Sequence, residues 1–599
     1  MAGITALLSK RQNACELVRK ALDSTFDLQS LQTVIVPLEN TCVALGAALP
    51  RHLTRHAMYS TASARALLFY GEIYNDMAGS EEASYTLSNY LRQGTDSFSG
   101  LNGPCSFLIW DEETKELLAV TDRLGRYPFF YFSAGEVFGI TTDLDAVFSS
   151  GILRPALLQE SLVDFSTIGF PLGTKSLFEG VQRLAGGSVL QAGPDGVEVR
   201  RYWQPSFNTG YGQADQLVDT FEMCTRRAVE QYPGCTATLS GGWDSRATWA
   251  ILGRSGSDVV PSTYGVPKST DITLAEDVSR ELHLAHAVIY PDADFFRSFH
   301  DLAAEIIIRG NGHLPIDLAF QLYAYRKLSE RFTMMLDSAG CEMRRGIRAQ
   351  RAAQHGKRDI DLANFLISMY RAGLESVLTG EFLGDTCGDT ARRITASFDR
   401  LPGVSQTEKI DSFSYHELWS HSYAHGYPMQ SGLITVRMPY TDNEFYDQYL
   451  AAEPSVRWSH KFQHTVIERF APELKNIPVA HGGIAIPYGE TFAQYAPAAY
   501  HLALTTLVRS IHAPSLLAFD NNRPFRPYHR WYGNELRTYV REMLLGGLLR
   551  EMNIFKMNEI ETLIQRQETS ALDFSRSLHS LLTLAHLQEY VRNHRLKVL

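Results

Sequence analysis

The amino-acid sequence predicts an α+β sandwich over residues 1–205, followed by an α/β domain over residues 206–599 whose last part is largely helical. Three observations carry this reading. The first 205 residues are dominated by five- to eight-residue runs rich in β-branched and aromatic side chains, with turn signals between them. From about residue 215 long helical periodicities alternate with short apolar runs, the pattern of an α/β layer. Between the two, Tyr202–Ala214 (YWQPSFNTGYGQA) concentrates Pro, Gly and Asn and marks the boundary.

The individual elements follow from these patterns. Gln32–Val36, Ala66–Tyr74, Ser106–Trp110, Glu116–Thr121, Pro128–Phe132 and Val137–Thr141 read as strands. Gln216–Gln231 reads as a helix, Thr236–Leu239 and Ala287–Tyr290 as strands, and the chain after about residue 360 as nearly all helix. With 56 basic and 66 acidic residues the formal charge is −10, so no global cationic field draws the chain to nucleic acid. No apolar run approaches the roughly 18 residues of a membrane span, and MAGITALLSKRQ has no charged region ahead of its apolar stretch, so neither membrane insertion nor a signal peptide is expected. The seven cysteines are scattered without a CxxC pair. That argues against a disulfide framework and a structural zinc site, and for a reducing, cytoplasmic setting.

The most informative string is Thr236–Ala250 (TATLSGGWDSRATWA). A β-branched strand runs through Leu239 into Ser240-Gly241-Gly242-Trp243-Asp244-Ser245-Arg246, and a helix opens there. Glycines let the backbone approach an anion, and a helix N-terminus offers unpaired amides and a positive dipole end. The Ser240 and Ser245 hydroxyls add donors, and Asp244 can hold a Mg²⁺ that bridges phosphate oxygens. No GxxxxGK[ST] occurs, so this is not a P-loop.

The SGGxDS string resembles the pyrophosphate loop of the ATP pyrophosphatases, and further motifs narrow the resemblance to the asparagine synthetase family. Tyr70–Asn75 (YGEIYN), Leu101–Tyr131 with Asp122-Arg123-Leu124-Gly125, and Ser176–Gly187 followed by Tyr202-Trp203 look like that family's N-terminal glutaminase domain. Val436–Asp442 (VRMPYTD) looks like the R-x-P-[FY]-x-D element of its synthetase domain. The resemblance implies an Ntn-hydrolase-like sandwich at 1–205, and at 206–599 an adenine nucleotide α-hydrolase-like synthetase domain with a helical extension. It also implies ATP and Mg²⁺, with Leu239–Gly242, Asp244, Ser245 and Arg246 at the nucleotide. Glu342 joins Asp244 as a second metal ligand, and Lys461 stabilises the adenylation transition state, so Asp244, Glu342 and Lys461 form the implied catalytic set.

The departures are as informative. The family's nucleophile is an N-terminal cysteine, and here Ala2 follows Met1; the asparagine of its Asn-Gly-Glu-Ile-Tyr-Asn signature is Tyr70. In Met335–Gly346 (MLDSAGCEMRRG) Cys341 stands where the family has an aspartate. The expectation is an AMP-forming amide ligase that does not use glutamine. β-Lactam synthetases place a tyrosine three residues before that aspartate, and the same count here reaches Ser338. The favoured reading is therefore macrolactam formation on a peptide, similar to lasso-peptide cyclases, in which one molecule brings carboxylate and amine at high effective concentration. Partners would be a peptide or small-molecule carboxylate, with a precursor peptide and a leader peptidase or recognition protein. The alternatives are ammonia or another amine as acceptor, a β-lactam synthetase-like enzyme, and a nucleotide-binding scaffold. Glu417, His416, His421 and His425, interleaved with Trp419, Tyr423 and Tyr427, read as an aromatic-rich helix or pocket wall before a metal site. Asp271 falls near a second nucleotide loop, Arg344–Arg358 reads as a basic helix face, either solvated or set against phosphates or an acidic substrate, and Asn521–Trp531 stays open.

Overall fold

The computed structural model describes residues 3–10, 13–53, 58–77, 81–207, 214–256, 258–340, 361–403, 405–453, 456–457, 459–489, 522–570 and 572–596, with positions 496, 499–500, 503–504 and 507. Two six-stranded antiparallel sheets come first in the chain. The first runs in the order β10 (Val181–Arg183), β8 (Phe130–Ala134), β9 (Val137–Thr141), β1 (Gly3–Ser9), β3 (Val43–Pro50), β2 (Leu31–Ile35). The second runs β12 (Gly196–Arg201), β11 (Ser188–Gly193), β7 (Glu116–Thr121), β6 (Cys105–Asp111), β5 (Arg65–Gly71), β4 (Tyr59–Ala62). β5 packs on β1 and β3, which stacks the sheets face to face. The helix Ala14–Asp23 covers β3 on one side and Glu82–Gln93 covers β4 and β5 on the other, so the layers read α/β/β/α.

The expected strand Ala66–Tyr74 stops early, at Gly71. Gly71 has φ +119°, and a Cβ there would lie 2.0 Å from the carbonyl of Pro104. Only glycine allows that close approach, so the chain turns and Glu72–Asn75 leave the sheet. Gly103, with φ +140°, makes the reciprocal approach to the carbonyl of Glu72.

The second half is built on a five-stranded parallel sheet, ordered β15 (Ala287–Ile289), β14 (Val260–Tyr264), β13 (Thr236–Thr238), β16 (Met334–Leu336), β17 (Thr435–Arg437). The strand order reverses between β13 and β16, and an open α/β sheet binds ligands in the crevice beyond its strand ends at such a point. The expectation of nearly continuous helix after residue 360 is corrected twice. Thr435–Arg437 supplies β17, and Val479–His481 (β18) pairs with Ile484–Ile486 (β19). These three-residue strands are too short to display a period in sequence.

The largest apolar core runs unbroken from the sandwich through Phe178 and Leu314 into Leu578–Val591 of the C-terminal helix Ser575–Leu596. A second core surrounds the helix Trp243–Leu252. Among the described residues no helix is long and apolar enough to cross a membrane.

Candidate functional site

β13 ends at Thr238, Leu239–Gly242 form a turn, and the helix Trp243–Leu252 opens with no side chain capping its amides. The local sequence explains this: β-branched residues favour the strand, two glycines permit the turn, and Asp244 favours a helix first turn. The turn is internally braced. Ser240 N–H donates to Ser245 Oγ at 3.0 Å, the two serine hydroxyls lie 2.9 Å apart, and Gly242 N–H donates to Ser240 Oγ at 3.2 Å.

This turn lines a cavity of about 520 Å³ at the C-terminal ends of β13, β14 and β16. Leu239, Ser240, Gly242, Asp244 and Ser245 are on its wall. Two other residues assigned to that loop are not. Gly241 is packed inward, where a Cβ would meet Ala480 Cβ at 2.7 Å, and its amide is taken by Asp271 Oδ1 at 3.2 Å. Arg246 is fully buried, and its guanidinium donates to the carbonyls of Leu474, Ile477 and Pro478. Burial lowers its pKa to about 10, and those carbonyls hold it as a structural pin.

Lys461 also falls elsewhere. It opens the helix Lys461–Phe470, is exposed, and is not on the cavity wall. The residue two positions on, Gln463, reaches the loop: its Nε2 donates to Asp244 Oδ1 at 2.6 Å. Among the described residues the cation on the wall is Arg526, from the Asn521–Trp531 stretch left open above. Its Nη1 donates to the carbonyl of Asp317 at 3.1 Å, and Phe525 lies under its guanidinium. Glu342, Cys341 and Arg344–Arg358 lie outside the described residues.

Four carboxylates face this one guanidinium among the described wall residues: Asp244, Asp271, Asp317 and Asp337. Asp337 follows β16 in the same string that carries Cys341, and sequence reasoning passed over it. It accepts from Tyr325 Oη at 3.2 Å, Thr238 Oγ1 at 3.3 Å and Ala339 N–H at 3.1 Å. Burial pushes the Asp271 and Asp337 carboxyls up, against the pull of these donors. An acid-rich wall accepts a polyphosphate only with a divalent cation between them, and an all-oxygen donor set suits Mg²⁺. Asp244 and Asp337 are the residues that would hold it.

Trp419, Tyr423 and Tyr427 form the aromatic side of the cavity, as the sequence pattern suggested. Trp419 and Tyr423 belong to a π-helix, Ser414–Tyr423, and His416 and His421 point from it into the interior. His313 and His425 stack with ring centroids 4.3 Å apart, and His421 lies 5.7 Å from His313. Burial holds all four histidines below the ordinary imidazole value, His313 at about 3. Among the described residues these histidines do not converge as metal ligands.

The family-like motifs meet where the two halves join. Glu72 of YGEIYN faces Arg437 at 3.3 Å. Asn102 Nδ2 donates to Asp442 Oδ1 at 3.0 Å, and Asn102 Oδ1 accepts from Asn443 N–H at 3.0 Å. Arg126, ion-paired with Asp122, donates to Thr441 Oγ1 at 2.9 Å. Tyr70, in the asparagine position, is buried against Tyr127 with ring centroids 3.9 Å apart; Tyr127 in turn meets Tyr427 at 5.2 Å. A row of three buried phenols therefore connects the sandwich to the cavity wall. Ala2 lies outside the described residues.

This architecture defines a class: a chain that joins an antiparallel α/β/β/α sandwich to a parallel α/β sheet with a glycine-rich strand-to-helix turn on its cavity. Residues 50–203 match the family model described as a glutamine amidotransferase domain. The chain is 27% identical to asparagine synthetase [glutamine-hydrolyzing] 3 of Bacillus subtilis, over 31% of its own length and 33% of that protein. It is 23% identical to putative asparagine synthetase [glutamine-hydrolyzing] 2 of Methanocaldococcus jannaschii, over 31% of its length and 40% of that protein. The chain is thus similar, over about a third of its length, to asparagine synthetases. It spans well under half the length of these curated relatives. Among solved structures, a glutamine phosphoribosylpyrophosphate amidotransferase from B. subtilis with ADP and GMP is 13% identical, with TM-score 0.26 over 48% of this chain and 65% of that one.

Proposed function

We propose that the chain is an ATP-dependent, AMP-forming amide ligase that takes its amine from a source other than glutamine. The observation that carries this reading is the Ser240–Ser245 turn on the wall of an acid-lined cavity at the strand-order reversal. A substrate carboxylate attacks the ATP α-phosphorus and pyrophosphate leaves; an amine then attacks the acyl carbon and AMP leaves. The uncapped amides that open the helix Trp243–Leu252 and the Ser240 and Ser245 hydroxyls hold phosphate oxygens, and Arg526 offsets the charge that develops on them. When bound at Asp244 and Asp337, Mg²⁺ supplies charge neutralisation at those oxygens.

Independence from glutamine is supported by the Tyr70–Tyr127–Tyr427 row, buried rings that reach from the sandwich to the cavity wall. The amine then comes from outside or from the substrate itself. Our reading is the second, macrolactam formation on a peptide, because one bound molecule brings both groups together.

The test supplies purified protein with ATP, Mg²⁺ and a peptide from the same gene neighbourhood, and follows products by mass spectrometry. AMP, pyrophosphate and a peptide lighter by one water are expected. ADP with phosphate would overturn the adenylation chemistry, and ¹⁵N from ammonium in the product would overturn the intramolecular acceptor alone. Asp244→Asn should cut turnover by about 10²–10³-fold while leaving nucleotide binding measurable.

A further inference from the structure

His300 stands near the start of the helix Phe299–Arg309, and His586 and Glu589 stand one turn apart on Ser575–Leu596, which packs against it. The i,i+3 spacing puts the latter two on one helix face. His300 Nε2 lies 3.4 Å from Glu589 Oε2, and His586 Nδ1 lies 3.4 Å from the same oxygen. One atom from each of the three falls within 4.8 Å of the others. Ligand atoms on a tetrahedral zinc ion, at bonds of about 2.0–2.1 Å, stand about 3.3–3.4 Å apart. Two edges of the triangle already have that length.

The remaining ring nitrogens are engaged as a metal site requires. His300 Nδ1 faces Asp301 Oδ1 at 3.5 Å, and His586 Nε2 is 2.7 Å from Tyr539 Oη. These contacts leave Nε2 of His300 and Nδ1 of His586 as the inward atoms, the arrangement by which outer partners orient imidazole ligands. His586 is 2% exposed, and the neighbour of its Nδ1 is the Glu589 carboxylate at 3.4 Å, longer than an ordinary hydrogen bond. Beside the triad opens a cavity of about 380 Å³ lined by His300, Tyr539, Glu542 and Glu589.

We propose that His300, His586 and Glu589 bind a divalent transition-metal ion, with zinc the ion that two imidazoles and one carboxylate suit, and a fourth position open to that cavity. The ion clips the C-terminal helix to the α/β half, away from the nucleotide cavity. The cysteine pattern excluded only a thiolate site; these ligands are too far apart in the chain for spacing to reveal them.

The experiment uses the full chain, stripped with chelator, dialysed, and titrated with Zn²⁺ alone or with Co²⁺ as a spectroscopic stand-in. About one zinc per chain should survive dialysis and raise the thermal midpoint, and Co²⁺ should give the strong visible absorption of a four-coordinate site. His300→Gln, at a half-exposed position, and Glu589→Gln should each lose that zinc while keeping the far-ultraviolet dichroism of the fold. Tyr539→Phe should weaken zinc binding about 10–100-fold. Zinc binding equal in the unaltered chain and the His300→Gln protein, or no binding at all, would overturn the site and leave a simple imidazole–carboxylate cluster.

Discussion

Glu72 and Arg437 form an ion pair at 3.3 Å, one from the first half of the chain and one from β17 in the second. Arg437 also lies over the rings of Tyr74 and Tyr232, and Tyr232 Oη donates to Glu72 Oε1 at 2.9 Å. Two strings that resemble catalytic signatures thus serve here as the joint between the halves. Both side chains are largely buried, so each depends on the other for compensation of its charge.

Arg437→Met would leave Glu72 buried without its partner, at a cost of about 3 kcal/mol. Denaturant unfolding should show that loss. The paired Glu72→Gln, Arg437→Met variant should recover part of it, because no charge is then stranded. Equal stability of the single and unaltered proteins would remove the pair from the joint.

Tyr70 fills its site by packing on Tyr127. Tyr70→Asn should cost about 3–5 kcal/mol through the cavity it leaves, and should yield no glutamate from glutamine. Glutamate released above the no-enzyme control by the unaltered chain would refute the role given to the phenol row.

The buried histidines set a pH dependence whose sign can be worked out. His313, His416, His421 and His425 are held below the unfolded value of about 6.5, so below that pH the unfolded chain binds more protons than the folded one. Their contribution is fully present above about pH 6.5 and is lost as pH falls toward the folded values. Each proton is worth about 1.4 kcal/mol per pH unit, and burial raises the Glu417 carboxyl so that it offsets at most one of the four. The urea midpoint should therefore fall more between pH 6 and pH 5 in the unaltered chain than in His425→Phe. An equal fall in the two proteins would contradict a neutral cluster.

Part of the site was legible because its signal is local. A strand, two glycines and an acidic helix start fall within ten residues, and their backbone preferences specify the turn without help from the rest of the chain. Motif positions, by contrast, predicted side-chain destinations poorly. Arg246 is four residues into a helix, and whether it faces a nucleotide or the carbonyls of Leu474, Ile477 and Pro478 depends on what packs behind that helix. Lys461 and Gln463 share a helix, yet only Gln463 turns toward Asp244.

The sequence by itself determined the order of sheet-rich and α/β segments and the glycine-rich strand-to-helix turn, since each is a property of residue type and short-range spacing. Tertiary structure alone decided that Asp337 and Arg526 share a wall with Asp244, that the phenols of Tyr70, Tyr127 and Tyr427 form a row, and that His300 meets His586 and Glu589. These are contacts between residues distant in the chain. They are set by how sheets and helices bury their apolar faces against one another, and a local pattern carries no record of that choice.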